Sequence, residues 1–293
     1  MDSLAGKRLV IFGCGYIGTA VALESLRRGL RVTALTRNAA SAVVLREQGI
    51  EAVVADLASN TWHEQIGGAP DFVLNCVSAG GGGVEGYRHS YVDGMISILG
   101  WAQQRGAIGT MVYTSSTSVY PQGDGAVIDE SAPVGGTERA GILVGAEEKL
   151  RTASNSCGRW FILRLAGIYG PGRHHFIEQM RAGEIAGRGE QHLNLIHRDD
   201  AVAAIWACFT GPSEVKNEIF NVADDGAARK TEIAVWLARE LKMAVPRFTG
   251  EPVSPRRGLT PDRIIANEKL KTRLGWRPRY PTYREGCANF LSR

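Results

Sequence analysis

Cysteine is scarce in this chain: five thiols (Cys14, Cys76, Cys157, Cys208 and Cys287) among 293 residues. They are widely spaced, odd in number and form no CxxC pair. That excludes a disulfide framework and a zinc ribbon, and implies reduced thiols in the cytoplasm. Histidine is also scarce. Neither His174-His175 nor His192 with His197 sets two imidazoles on one helix face, so no metal is expected. No apolar run reaches bilayer-spanning length and no leader-like segment opens the sequence, so no membrane association is expected. The net charge is only +4, and Lys and Arg are scattered without a basic block interleaved with aromatics, which argues against a nucleic-acid partner. Internal repeats and long low-complexity tracts are absent, which excludes a solenoid.

Glycine is plentiful, and one group of three is the most informative. Gly13-Cys14-Gly15-Tyr16-Ile17-Gly18 follows the apolar run 8–12 and precedes the helical pattern 20–26. A GxGxxG run between a buried strand and a helix is the turn that receives a dinucleotide pyrophosphate. Its first glycine allows the tight turn, its second lets the phosphates approach the backbone, and its third packs helix on strand. Residues 13–18 are therefore the core of the expected cofactor site.

The first half alternates strand-like runs (8–12, 31–35, 51–54, 72–76, 110–114, 160–164) with helical stretches (15–28, 39–48, 84–105, 138–155). Strands separated by helix-length connections imply a parallel, doubly wound α/β sheet of Rossmann type. Ligands of such sheets bind beyond the carboxyl ends of the strands. Residues 13–18, 36–37, 56–57, 75–83, 115–117 and 166–173 fall at that edge. The glycine run 80–83 borders it. The second strand ends in Thr36-Arg37-Asn38, where an NAD site usually carries an acid for the ribose 2′-hydroxyl. Arg37 stands there instead, and a guanidinium suits a 2′-phosphate, so NADP is expected over NAD.

Beyond about residue 165 the pattern loosens, with helices at 199–209 and 231–241 and a cluster of prolines at Pro246, Pro252, Pro255 and Pro261. The expected organisation is a dinucleotide-binding domain over 1–165, taking segments from about 190–225. A discontinuous, smaller substrate lobe over 166–293 completes it.

The ordered motifs resemble the extended and atypical short-chain dehydrogenase/reductases, the NAD-dependent epimerase/dehydratase family, and within it the YeeZ-like subgroup. The resemblance spans nearly the whole chain. It rests on residues 13–18, Ala55-Asp56-Leu57, the segment 113–120 with Ser115-Ser116-Thr117, and the segment 164–173. Residues 194–200, Ile219-Phe220-Asn221-Val222 and Asn267-Glu268-Lys269-Leu270 with Leu274-Gly275-Trp276 continue it. It implies that Asp56 contacts adenine with Leu57 packing beside the ring. It also implies that residues 75–78 (Cys76, Val77, Ser78) run along the nicotinamide ribose, and Ser115 is counted among the cofactor-binding residues. Ser116 then hydrogen-bonds the reacting substrate oxygen, assisted by Thr117. The loop 167–173 lies against nicotinamide and substrate, and Asp199 and Asp200 are structural. A homodimer through the fourth and fifth helices is the assembly the resemblance implies.

One departure bears on mechanism. The family carries Tyr-x-x-x-Lys on its fifth helix, where the lysine lowers the tyrosine pKa and the phenol exchanges a proton with substrate. Ala140 and Val144 occupy those positions here. No tyrosine occurs between Tyr120 and Tyr169, and Lys149, the one lysine in that interval, lies roughly 140° around the helix from Val144. Three accounts stay open. Tyr169, His174, Glu147 or Glu148 replaces the phenol; or the substrate is an imine that arrives protonated; or the protein binds cofactor without turnover, as NmrA-like regulators do. The leading expectation is an NADP-dependent oxidoreductase that transfers hydride to or from a small polar carbonyl, alcohol or imine. Arg173, Arg256 or Arg257 would hold an anionic group of that substrate. The alternative is a non-catalytic sensor or interaction module.

Overall fold

The computed structural model describes residues 4–79, 81–153, 155–252 and 260–291. The chain opens with β1 (Arg8–Phe12), α1 (Tyr16–Arg27), β2 (Arg31–Thr36), α2 (Ala39–Glu47), β3 (Glu51–Val54) and β4 (Phe72–Asn75). A helical run follows: α3 (Gly83–Arg88), a π-helical turn (His89–Asp93) and α4 (Gly94–Arg105). Then come β5 (Ile108–Ser116), β6 (Ala126–Ile128), α5 (Glu138–Thr152), β7 (Cys157–Leu165), β8 (Gly167–Tyr169), α6 (His175–Arg181) and β9 (Glu184–Ile185). Next are β10 (His192–Leu193), β11 (Leu195–His197), α7 (Arg198–Thr210), β12 (Glu218–Val222), β13 (Ala228–Arg229) and α8 (Lys230–Leu241). β14 (Arg247–Phe248), β15 (Arg263–Ile265), α9 (Glu268–Leu274) and α10 (Tyr283–Leu291) complete the described chain.

Seven strands form the central sheet in the order β12-β7-β5-β4-β1-β2-β3. β1 pairs in parallel with β2 and with β4, β2 with β3, and β4 with β5. The chain thus winds outward from β1 to β3, then returns to start the other half at β4. The reversal between β1 and β4 is the switch point at which such sheets bind ligands. Leu9–Phe12 and Phe72–Asn75 are buried throughout, as strands covered on both faces must be.

Two compact units result. The first comprises Met1–Val119, Val134–Arg164 and Ile205–Phe220; the second comprises Tyr120–Pro133, Leu165–Ala204 and Asn221–Arg293. Phe12, Trp62 and Trp101 anchor the first core, with ring centroids 4.9 Å (Phe12–Trp62), 6.0 Å (Phe12–Trp101) and 5.5 Å (Trp62–Trp101) apart. Each buried indole N–H finds a carbonyl: Trp62 donates to Leu57 at 3.0 Å and Trp101 to Ile66 at 3.2 Å. α5 starts on Thr137, whose hydroxyl accepts from Ala140 N–H at 3.1 Å. Its far end carries a buried charge cluster. Glu147 accepts from Arg164 Nη2 at 2.6 Å, Arg164 Nε at 3.1 Å and the Ser115 hydroxyl at 2.6 Å. α5, β5 and β7 are thereby tied together.

In the second unit short strands pair as β6 with β15, β8 with β11, β9 with β14 and β10 with β13. Such short ladders satisfy few backbone groups, and polar side chains satisfy others. Asn194 accepts from Ile265 N–H and donates to Arg263 O, both at 2.8 Å. Asp200 accepts from the N–H groups of Arg279 at 2.7 Å and Tyr280 at 3.0 Å. Asn221 accepts from the Tyr120 hydroxyl at 2.8 Å. Tyr169, Met180, Ile185, Ile233, Leu237 and Tyr283 form the core. No helix among the described residues is long and apolar enough to cross a membrane.

Glu147 and Arg164 are both nearly solvent-free, with side chains 3% and 4% exposed. Arg164→Leu leaves a buried carboxylate without its counter-charge and is expected to cost about 3–5 kcal/mol in denaturant unfolding. The double change Arg164→Leu with Glu147→Leu is expected to recover part of that loss; a double variant less stable than R164L contradicts this account.

Candidate functional site

The glycine turn lies between β1 and α1, at the switch point. Gly13 has φ +91°, and a side chain there would stand 2.6 Å from the backbone of Val77. A Cβ on Gly18 would stand 2.5 Å from the Gly13 carbonyl oxygen and 3.0 Å from the Cys76 sulfur. Both positions are closed to any other residue by backbone atoms. Gly15 differs: a Cβ there meets nothing within 4 Å. Gly15 is the N-cap of α1, and no side chain caps the helix. An uncapped helix start behind an open glycine offers backbone N–H groups and a positive dipole end to an anion. The turn therefore fits a dinucleotide pyrophosphate. Cys14 and Tyr16 line it, Ile17 is buried beneath, and the Cys76 thiol donates to Gly13 O at 3.0 Å. Burial pushes both the Cys14 and Cys76 thiols up, which makes them packing groups rather than nucleophiles.

Thr36, Arg37 and Asn38 follow β2. Asn38 caps α2 by accepting from Ser41 N–H at 3.0 Å, and its own N–H bonds the Thr36 hydroxyl at 3.2 Å. Arg37 is exposed. It shares an electrostatic environment with Asp56, which accepts from Ala58 N–H at 2.8 Å and pairs with His89 at 3.0 Å. Partial burial opposes ionisation of Asp56, but the Ala58 bond, His89 and Arg37 outweigh it and hold the carboxyl below its usual range. Leu57 is buried beside it, and a Cβ on Gly94 would stand 2.9 Å from the Leu57 side chain.

The exits of β4 and β5 carry the remaining cofactor candidates. Val77 backs the glycine turn and Ser78 is exposed. Ser115 is buried with its hydroxyl on Glu147. Ser116 is half-buried and accepts from Ser118 N–H at 3.1 Å, which leaves its own proton to donate. Thr117 is buried beside it. Ala140 is buried, and Glu148 pairs with Arg151 on the exposed side of α5.

Two tyrosines that sequence reasoning passed over stand at the same edge. Tyr87 and Tyr91, four apart across the π-helical turn, have ring centroids 4.5 Å apart. Tyr91 hydrogen-bonds Tyr87 and the backbone of Ala79. Their spacing of four reads as an ordinary helix face, and the π turn at His89–Asp93 that carries Tyr91 has no sequence signature.

The other candidates belong to the second unit. The Tyr169 hydroxyl donates to Thr282 O at 3.5 Å, and burial first, then Asp224, drives its pKa up. His174 is half-buried with its pKa lowered by burial. His197 accepts from Asp199 N–H at 3.2 Å on Nδ1 and packs against Tyr280 with centroids 4.1 Å apart and the rings tilted by 50°; burial brings its pKa down to about 4. Arg173 is half-buried. Arg256, Arg257 and Gly80 lie outside the described residues.

Comparison with known proteins agrees with this geometry. The family model described as NAD dependent epimerase/dehydratase family matches residues 9–223. The chain is 26% identical over 281 residues to protein YeeZ of Escherichia coli K12, covering 94% of this chain and 97% of YeeZ. It is 28% identical over 217 residues to the 3-diazoavenalumate denitrifying reductase of a Streptomyces species, covering 66% of this chain and 68% of that one. Among solved structures, UDP-glucose 4-epimerase of Thermotoga maritima, with UDP-glucose, superposes with a TM-score of 0.80 at 18% identity, over 97% of both chains. That likeness is one of fold.

The contrast between the two glycines gives a test of the turn. Gly18→Ala is expected to cost about 1–3 kcal/mol or more, because backbone must move. Gly15→Ala is expected to cost under about 1 kcal/mol, the N-cap preference alone. Denaturant unfolding of both variants reads the difference; equal losses contradict the geometry.

Proposed function

Because the chain belongs to the NAD-dependent epimerase/dehydratase family, we propose that it binds NADP and transfers hydride between its nicotinamide and a small polar carbonyl, alcohol or imine. The observation that carries this reading is the open, uncapped glycine turn at Gly15, set at the switch point of a doubly wound sheet. Residues 13–18 would hold the pyrophosphate, and Asp56 with Leu57 the adenine. Val77 and Ser78 would border the nicotinamide ribose. The bound cofactor would supply the hydride. Ser116, with a proton to donate, would hold the substrate oxygen, with Thr117 packed beneath it. Tyr169 spends its hydroxyl on Thr282 and serves the second unit's core. The Streptomyces relative bears the name of a reductase, which favours reduction as the direction.

NADP is preferred over NAD because no acid stands at the end of β2, while Arg37 is exposed there near Asp56. A second reading, cofactor binding without turnover, is favoured by one observation: Ala140 and Val144 stand where the family's tyrosine and lysine would.

Calorimetric titration with NADPH, NADP, NADH and NAD tests the cofactor assignment. NADPH is expected to bind most tightly. Arg37→Asp is expected to weaken NADPH by about 10-fold or more, as loss of a charge-assisted bond would, and NADH little; equal loss for both refutes the 2′-phosphate role. Once a substrate is found, Ser116→Ala is expected to lower kcat by about 100-fold while leaving NADPH affinity within about twofold. An unchanged rate removes Ser116 from the chemistry.

A further inference from the structure

We propose that Tyr91, with Tyr87 as its relay to solvent, is the proton donor of this site. The proposal rests on the hydride-transfer reading above and deepens it. Tyr91 is held by two hydrogen bonds, one to the Tyr87 side chain and one to the backbone of Ala79. The Ala79 bond is donated by the backbone N–H, and the Tyr87 bond joins two hydroxyls, either of which can donate. The Tyr91 oxygen thus has a fixed donor behind it and a proton that can turn to a third partner.

Position follows from the chain. Ala79 lies two residues beyond Val77, whose backbone packs on Gly13 of the phosphate turn. The Tyr91 phenol is therefore anchored to the β4 exit that also backs the cofactor turn. β4 and β5 are neighbours, with Asn75 opposite Tyr113, and β5 runs on to Ser115 and Ser116. α5 packs against the π-helical turn, where a Cβ on Gly145 would lie 3.8 Å from Val92. Ala140, Gly141 and Gly145 on α5 are small, and Ile142 of the same helix joins the core cluster against which the two phenols pack.

A second observation marks the place as polar by design. Asn75 Nδ2 and the Tyr113 hydroxyl are both fully buried, and neither has a hydrogen-bond partner among the described residues. Unpaired buried polar groups carry a cost that a purely structural core would avoid. Arg139 also faces the phenols, its guanidinium 5.3 Å from the Tyr87 ring centroid, while the Glu147 charge acts on Tyr113. Burial, the largest influence, pushes Tyr91 up to about 12, so it is protonated at neutral pH and suits donation during reduction.

In the reduction, the substrate's carbonyl carbon would accept the hydride that bound NADPH supplies. The π pair moves to the carbonyl oxygen, which takes the Tyr91 proton as the phenol O–H bond breaks. The phenolate keeps the Ala79 N–H bond and regains a proton from solvent through Tyr87.

The test needs no substrate. Protein labelled with ¹³C at the tyrosine ζ carbon reports each phenol's hydrogen bonding and ionisation by NMR, with the Tyr91 signal assigned from Tyr91→Phe. NADP, whose nicotinamide is cationic, is the probe, and calorimetry on the same samples measures its binding. Saturating NADP is expected to move the Tyr91 signal toward the phenolate position and to leave Tyr169 unmoved. Tyr91→Phe is expected to bind NADP within about threefold of the native protein, a loss of under about 1 kcal/mol. Tyr87→Phe, the second variant, is expected to move the Tyr91 signal before any nucleotide is added. If NADP binds and the Tyr91 signal stays put, the proposal fails while the cofactor reading stands. If Tyr87→Phe leaves that signal unmoved, the relay fails. If none of the four dinucleotides binds, the cofactor reading fails and the proposal with it.

Discussion

Two stretches of backbone meet at Gly13 and Val77, so near that a single added carbon would stand 2.6 Å from main-chain atoms. This contact joins the exits of β1 and β4, the two strands from which the sheet winds in opposite directions. Gly18 repeats the constraint one turn into α1, where the helix sits directly on the Gly13 carbonyl. With both ends pinned, Gly15 is left facing open space at an uncapped helix start. Such a helix start presents a positive dipole end, and an anionic ligand is the partner that best complements it.

The same edge is stiffened from below by a buried ion pair. Glu147 and Arg164 sit in a region with almost no water, and the Ser115 hydroxyl completes the carboxylate's bonding. A buried pair of this kind adds little net stability over an apolar pair, but it tolerates one geometry only. It fixes the end of β5, and with it Ser116, against α5. Glu147 is thereby a clamp in the first unit, a different task from the proton transfer that its place on α5 first suggested.

Much of this was legible from residue order. The buried runs 8–12 and 72–75, and the helix-length gaps between strands, announce a parallel sheet because only a sheet covered on both faces needs strands apolar on both sides. The glycine turn was legible because each glycine answers a separate steric demand. Asn194, Asp200 and Asn221 were visible as motif residues, and the structure gives their reason: each satisfies backbone groups that the short ladders of the second unit leave over, Asn221 by donating to Ile128 O and Ala266 O. What was not legible depends on long-range contact. The expected helix over 84–105 is interrupted by a π turn at His89–Asp93, which carries Tyr91. The Glu147–Arg164 pair and the His89–Asp56 pair join residues 17 and 33 apart in sequence, and no local pattern predicts them.

The central claim is that the Gly13–Gly18 turn and the neighbouring strand exits form one dinucleotide cradle. Amide hydrogen exchange, measured with and without NADPH, tests it most directly. The account predicts slowed exchange at residues 15–18, 37–38 and 77–79 on adding NADPH, with the second unit's core helix α8 unchanged. Exchange at the glycine turn that is the same with and without saturating NADPH would contradict it.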